Sequence, residues 1–77
     1  MSRLLLLPYI KLAKVVEKKG FYWVRRVGSH NTFKNKEGQI IVIPDHGKKV
    51  IVRPLLRKIL RDIGLSIEDY NLLVKCK

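Results

Sequence analysis

Phe21-Tyr22-Trp23-Val24-Arg25-Arg26-Val27, then Gly28-Ser29, then His30-Asn31-Thr32-Phe33-Lys34 is the stretch that decides the fold. Its first run is rich in aromatic and β-branched residues, which suit a pleated, half-buried surface, and predicts a strand. Gly28-Ser29 is a turn signal, and the second run continues as a more polar strand. Asn35-Lys36-Glu37-Gly38 has hairpin chemistry again, with Gly38 free to take a positive φ. It leads into Gln39-Ile40-Ile41-Val42-Ile43, a third strand apolar at four consecutive positions. An unbroken apolar run predicts a strand that is central or covered on both faces. Pro44 cannot donate to a ladder and is expected to stop it.

Helical patterns flank the strands. From Pro8 to Lys19, Leu12, Val15 and Val16 follow a helical spacing, with Lys11, Lys14 and Lys18 opposite. Proline is tolerated in a first turn, and Gly20 supplies the left-handed residue that commonly closes a helix. Asp45 to Val52 reads as a loop in which Val50-Ile51-Val52 can add a short extended segment. Pro54 opens a second helix, where Leu56, Ile59, Leu60 and Ile63 fall at i, i+3, i+4 and i+7, and Gly64 ends it. Ser66, with Asp69 three residues on, caps a short last helix. The sum is an α+β fold over residues 1–77, a single small α-β-β-β-α domain with a three-stranded antiparallel sheet. Both long helices lie on one face, the simplest way to bury their apolar stripes. The other sheet face is left for solvent or a partner.

Composition narrows what such a domain does. The chain has 77 residues, 17 Lys plus Arg against 6 Asp plus Glu, and a net charge of +11. A hydrophobic fraction of 47% separates it from a disordered basic tail. A domain of this size buries only about 60% of its unfolded surface, which argues against a deep cofactor pocket. The excess charge implies a polyanionic partner. Cys76 is the one cysteine, so no internal disulfide or cysteine zinc site is expected and the chain reads as cytoplasmic. The leucines of Met1 to Pro8 form an apolar run of four, against the roughly 7–15 residues of a signal peptide. They are expected to pack on the body of the domain. No membrane association is expected either, because the amphipathic second helix is needed for the core.

His30 stands just beyond the glycine turn, on a basic hairpin. An imidazole there exchanges protons near neutrality. RNA carries its own nucleophile, the 2′-hydroxyl, so cleaving it requires little beyond proton transfer and charge stabilisation. From the residues alone the plainer reading, a surface turn or strand-edge histidine, is the commoner one for such a position. His46, in Pro44-Asp45-His46-Gly47, reads as an exposed loop residue or as a second proton-transfer group. The spacing of His30 and His46 matches no compact metal motif, so neither a metal nor another cofactor is expected.

Gly20-Phe21-x-x-x-Arg25-x-x-Gly28-Ser29-His30, then Ile41-Val42-Ile43-Pro44-x-His46-Gly47, then Leu56-Arg57-Lys58-Ile59-Leu60 and Gly64-Leu65-Ser66 resembles the HicA family of mRNA-interferase toxins from toxin–antitoxin pairs. The resemblance runs in order over residues 7–70. It implies a fold similar to a double-stranded-RNA-binding domain and ribosome-independent cleavage of mRNA. It also implies a catalytic role for His30, in the Gly-Ser-His motif, and a HicB-type antitoxin that masks the active surface. The chain departs from the family pattern at Asn31, directly after that motif, and at Arg53-Pro54-Leu55, before the second helix.

With the resemblance, His30 is expected to act as general base or acid in cleavage through the 2′-hydroxyl. Ser29 is an auxiliary turn former or phosphate donor, and His46 a possible second auxiliary. Gly28 lets backbone approach a phosphate. Arg25, Lys34, Lys36, Lys48 and Lys49 are the expected RNA-binding cations. Alternation sends Arg25 and Arg26 to opposite sheet faces, and Arg25 is the one that matches the family. Phe21 is expected in the core, and one of Tyr22 and Trp23 on each sheet face. The rival reading is a non-catalytic basic RNA-binding module of the same fold, which has no need of Gly28-Ser29-His30. A DNA-binding helix-turn-helix is disfavoured by the few residues joining the last two helices.

Overall fold

The computed structural model describes residues 4–75, so Cys76 and Met1 to Arg3 lie outside the described residues. The order is α1 (Tyr9–Lys18), β1 (Tyr22–Val27), β2 (His30–Lys34), β3 (Ile40–Pro44), α2 (Arg53–Asp62) and α3 (Ile67–Lys75). The strands form one antiparallel sheet in the order β1-β2-β3. This is the α+β arrangement expected from the sequence.

The helix ends follow the glycines. Beyond α1, the Phe21 N–H donates to the Val16 carbonyl at 3.1 Å and the Gly20 N–H to Glu17 at 3.0 Å. Leu65 and Gly64 make the same pair of bonds to Leu60 and Arg61 beyond α2. Both are Schellman closures, with the left-handed glycine φ the motif requires: +91° at Gly20 and +71° at Gly64. At α3 the Ser66 hydroxyl accepts from the Asp69 N–H at 3.1 Å, the expected N-cap. The last helix is nine residues long, not a short turn. Tyr70 is fully buried in it, with Leu73 and Val74 against the core, so tertiary packing extends a helix whose sequence signal is weak.

The core lies on one side of the sheet. Phe33, Ile41 and Ile43 meet Leu12, Val15 and Val16 of α1 and Leu56, Ile59 and Leu60 of α2 in one cluster. Phe33 pairs with Ile41 and Asn31 with Ile43, so these odd positions share a face. The reading of β3 as central or doubly covered is therefore wrong. It is an edge strand, and burial alternates along it, with Ile40 57% and Val42 42% exposed. Its apolar run misleads because only Ile41 and Ile43 enter the core. β3 ends at Pro44, as expected, with the proline as its last residue, opposite His30. At that position on an edge strand the missing N–H would point away from β2, so no ladder bond is lost.

The N-terminal leucines are a strap on the body of the domain, as expected. Leu4 and Leu7 are buried. The Leu5 carbonyl accepts from the Tyr70 hydroxyl, the Leu5 N–H donates to Asn71 Oδ1 at 3.4 Å, and the Leu7 carbonyl accepts from Ile51 at 2.7 Å. Val50 bridges Pro8, so the Val50-Ile51-Val52 segment does contribute one short extended contact.

Burial pushes the Tyr70 hydroxyl up to about 12 from its ordinary 10.0. The folded chain then holds that proton where the unfolded chain has released it. The stability this contributes is complete below pH ~10 and is lost as pH climbs towards ~12. Tyr70→Phe is expected to cost about 1 kcal/mol at neutral pH, for the lost bond to Leu5. It should also flatten the loss of stability between those two pH values. Denaturant melts of both proteins across the alkaline range check this.

Candidate functional site

The even positions of β2 and β3 form the uncovered face. His30, Thr32 and Lys34 lie opposite Pro44, Val42 and Ile40 on one side. On the other they lie opposite Val27, Arg25 and Tyr22. Directly opposed residues share a face, so His30, Arg25 and Lys34 project together from the side away from the helices.

Arg25 reaches that face through a bulge. The register shifts between Trp23, opposite Phe33, and Arg25, opposite Thr32, with Val24 as the extra residue. In an unbroken strand Trp23 and Arg25 would point the same way; the bulge reverses everything beyond it. Arg25 and Arg26 do take opposite faces, and the bulge determines which goes where. Tyr22 and Trp23 also divide as expected. Tyr22 is on the uncovered face, whereas Trp23 is on the helix side, its indole N–H donating to Asn31 Oδ1 at 2.9 Å. Phe21 is buried, as expected. Asn31, the departure after Gly-Ser-His, is thus a buried bracket for Trp23 beside the core.

The turn before His30 is held from outside the hairpin. Gly28 has φ +60° and Ser29 has no positive φ, the pattern of a II′ turn, which favours glycine at its first central position. A Cβ at Gly28 would meet nothing within 4 Å, so backbone conformation alone demands glycine. Arg26 Nε donates to the Gly28 carbonyl at 2.8 Å, and its guanidinium pairs with Asp45 at 3.3 Å. The Asp45 N–H in turn donates to the Ser29 carbonyl at 2.7 Å. Arg26 and Asp45 therefore clamp both turn residues to the segment leaving β3. Tyr9 of α1 lies in the same neighbourhood: burial, and after it the Asp45 carboxylate, hold its hydroxyl above the ordinary value. Sequence reasoning missed this clamp, because nothing in the spacing of Arg26 and Asp45 marks them as partners.

A groove of about 350 Å³ opens beside His30, between Ile40, Val42 and Pro44 of β3 and Leu55, Lys58 and Asp62 of α2. Lys58 Nζ and Asp62 Oδ2 pair across one helical turn at 3.0 Å. Asp62 was not anticipated; its signal in the sequence is the i, i+4 spacing to Lys58. Ser29 is half-buried in the turn. His46, Lys48 and Lys49 are exposed in the loop after β3, and Lys36 is exposed in the β2–β3 turn. His46 is absent from the lining of the groove. The structure thus gathers His30, Arg25 and Lys34 on one face and leaves His46, Lys36, Lys48 and Lys49 on connecting segments.

Residues 10–65 match the family described as HicA toxin of bacterial toxin-antitoxin. The chain belongs to the HicA toxin family. The match covers α1 from its second residue, all three strands, α2 and its glycine closure, and so includes the clamped turn and the groove. Membership makes the chain the toxin member of a toxin–antitoxin pair, with an antitoxin as its partner. No curated protein gives a significant match. Among the described residues no helix is long and apolar enough to cross a membrane.

Proposed function

We propose that this HicA-family chain is an mRNA endoribonuclease in which His30 carries the proton transfers, and that a HicB-type antitoxin neutralises it. The observation that supports this most is the placement of His30 on the uncovered sheet face, beside a groove, with Arg25 and Lys34 projecting from the same side. In the reaction, His30 takes the proton of a ribose 2′-hydroxyl as that oxygen attacks the adjacent phosphorus. The bond from phosphorus to the 5′ oxygen breaks, and the imidazolium returns the proton to that leaving oxygen. The products are a 2′,3′-cyclic phosphate and a free 5′-hydroxyl. Arg25 and Lys34 hold the phosphate backbone across the face, a role that positions RNA without reading its bases. Lys36, Lys48 and Lys49 extend the positive surface at its margins. Gly28 and Ser29 serve through their backbone, as the clamped turn that aims His30. His46, outside the groove, is assigned no step. The chemistry needs no metal or organic cofactor, and the expected compartment is the cytoplasm, where mRNA is found.

General acid–base help contributes about 10²–10⁴-fold, so His30→Ala should lower cleavage of a labelled single-stranded RNA by at least ~10²-fold while still binding it. Equal cleavage by both proteins would remove His30 from the mechanism and leave a binding module.

The two neighbouring arginines provide a second test. Arg25→Ala should weaken RNA binding and reduce the slope of log affinity against log salt by about 0.7, the effect of one lost phosphate contact on a single strand. Arg26→Ala should leave that slope unchanged and instead cost up to about 1 kcal/mol of stability, because its partners are Gly28 and Asp45. Filter binding across a salt series, together with denaturant melts, separates the two.

A further inference from the structure

The free edge of β3 is the one part of the sheet whose design the proposed reaction does not explain. Edge strands are normally protected from pairing by charges, bulges or a covering element. The outer strand on the other side, β1, has a bulge at Val24 and two consecutive arginines. β3 has neither: Ile40, Ile41, Val42 and Ile43 carry no charge and no register shift, and its one proline, Pro44, stands at its end and leaves the N–H groups of Ile40 and Val42 in place.

The direction of its backbone groups follows from the ladder. The Asn35 N–H donates to the Gln39 carbonyl at 3.1 Å and the Asp45 N–H to the Ser29 carbonyl at 2.7 Å, one at each end of the β2–β3 pairing. Hydrogen-bonded pairs alternate, so the odd residues of β3 bond to β2 and the N–H and C=O groups of Ile40 and Val42 point outward. The Gln39 side-chain amide donates to the Asp62 carbonyl and ties α2 to the start of β3, and the groove lies between the helix and the edge that follows.

We infer that the β3 edge receives an extended segment of the antitoxin as a fourth strand, which pairs with Ile40 and Val42 and thereby roofs His30. The inference rests on the antitoxin pairing in the proposed function and adds where and how that partner binds. Exposed Ile40 and Val42 call for apolar side chains on the incoming strand, and Leu55 and Ile59 offer a seat for one of them in the groove. Lys34 at one end of the face, with Arg25 on the same side, calls for carboxylates beside those apolar residues, whereas Lys58 across the groove is already paired with Asp62. A second copy of the chain fits poorly, because each copy carries +11. RNA fits poorly too, since it has no use for the alternating donors and acceptors of a strand edge beside exposed isoleucine and valine. Because His30 lines the same groove, one added strand satisfies the edge and closes the reactive surface together.

The test is amide exchange of the isotopically labelled chain, alone and with its HicB-type antitoxin. The Ile40 and Val42 amides should become at least ~10²-fold more protected in the complex, while Ile41 and Ile43, already bonded to β2, change little. Val42→Pro removes an outward N–H without breaking a bond to β2, and should weaken the complex at least ~10-fold with a melting temperature within a few degrees of wild type. Val42→Thr, which keeps the N–H, should bind normally. Unchanged exchange at Ile40 and Val42 within a stable complex would overturn this inference and leave the pairing intact. Failure of the wild-type chain to bind the HicB-type protein would overturn both. Protection of the same amides in the isolated chain, or by a 15-nucleotide RNA alone, would give the edge to a second copy or to substrate and equally contradict it.

Discussion

Packing of Phe33, Ile41 and Ile43 against α1 and α2 fixes every other feature of the molecule. Side chains on a strand alternate, so burying the odd positions of β2 and β3 compels the even positions to stand on the other side. His30, Thr32 and Lys34 are uncovered for the same reason that Phe33 is in the core. A slip of one residue in β2 would put His30 into the apolar cluster and Phe33 into water, and the cost of that exchange holds the register. Among the described residues no element packs on the second face. The uncovered surface is thus a direct consequence of a core built on one side of the sheet.

Two local devices refine that surface. The bulge in β1 turns Arg25 towards His30 and sends Arg26 to the other side, where it meets Asp45. The same step therefore supplies a cation to the uncovered face and a clamp for the turn beneath it. Arg26 and Asp45 hold the carbonyls of Gly28 and Ser29, so the backbone from which His30 projects is tied to β3 as well as to β1. A histidine that must meet a phosphate within hydrogen-bond reach gains from such a fixed platform.

Much of this was legible in the sequence because the relevant signals are local. Gly28-Ser29, Gly38, Gly20, Gly64 and Ser66 each act within a few residues of themselves, and each delivers the turn or helix end it announces. The i, i+3, i+4, i+7 stripe of α2 and the odd-position isoleucines likewise read directly. The features that did not read are those set by neighbours distant in the chain. Ile40-Ile41-Val42-Ile43 has the composition of a buried strand, yet strand order in the sheet decides whether both faces are covered. The length of α3 depends on Tyr70 reaching the core and the strap at Leu5. The bulge at Val24, the pairing of Arg26 with Asp45 and the arrival of Lys58 and Asp62 beside His30 are all tertiary outcomes.

The net charge and the small size acquire a common meaning in this account. In the proposed reaction RNA supplies the attacking oxygen, so a domain too small for a deep pocket needs only a placed imidazole and a few cations. The central claim is that the 2′-hydroxyl of the substrate is the nucleophile and that no metal takes part. It is tested most directly by incubating the wild-type chain, with EDTA present, with an RNA and with the same sequence made entirely of 2′-O-methyl ribose. The account predicts cleavage of the RNA to fragments ending in 2′,3′-cyclic phosphate and an intact 2′-O-methyl strand. Cleavage of the 2′-O-methyl strand, or no cleavage of the RNA, would contradict it.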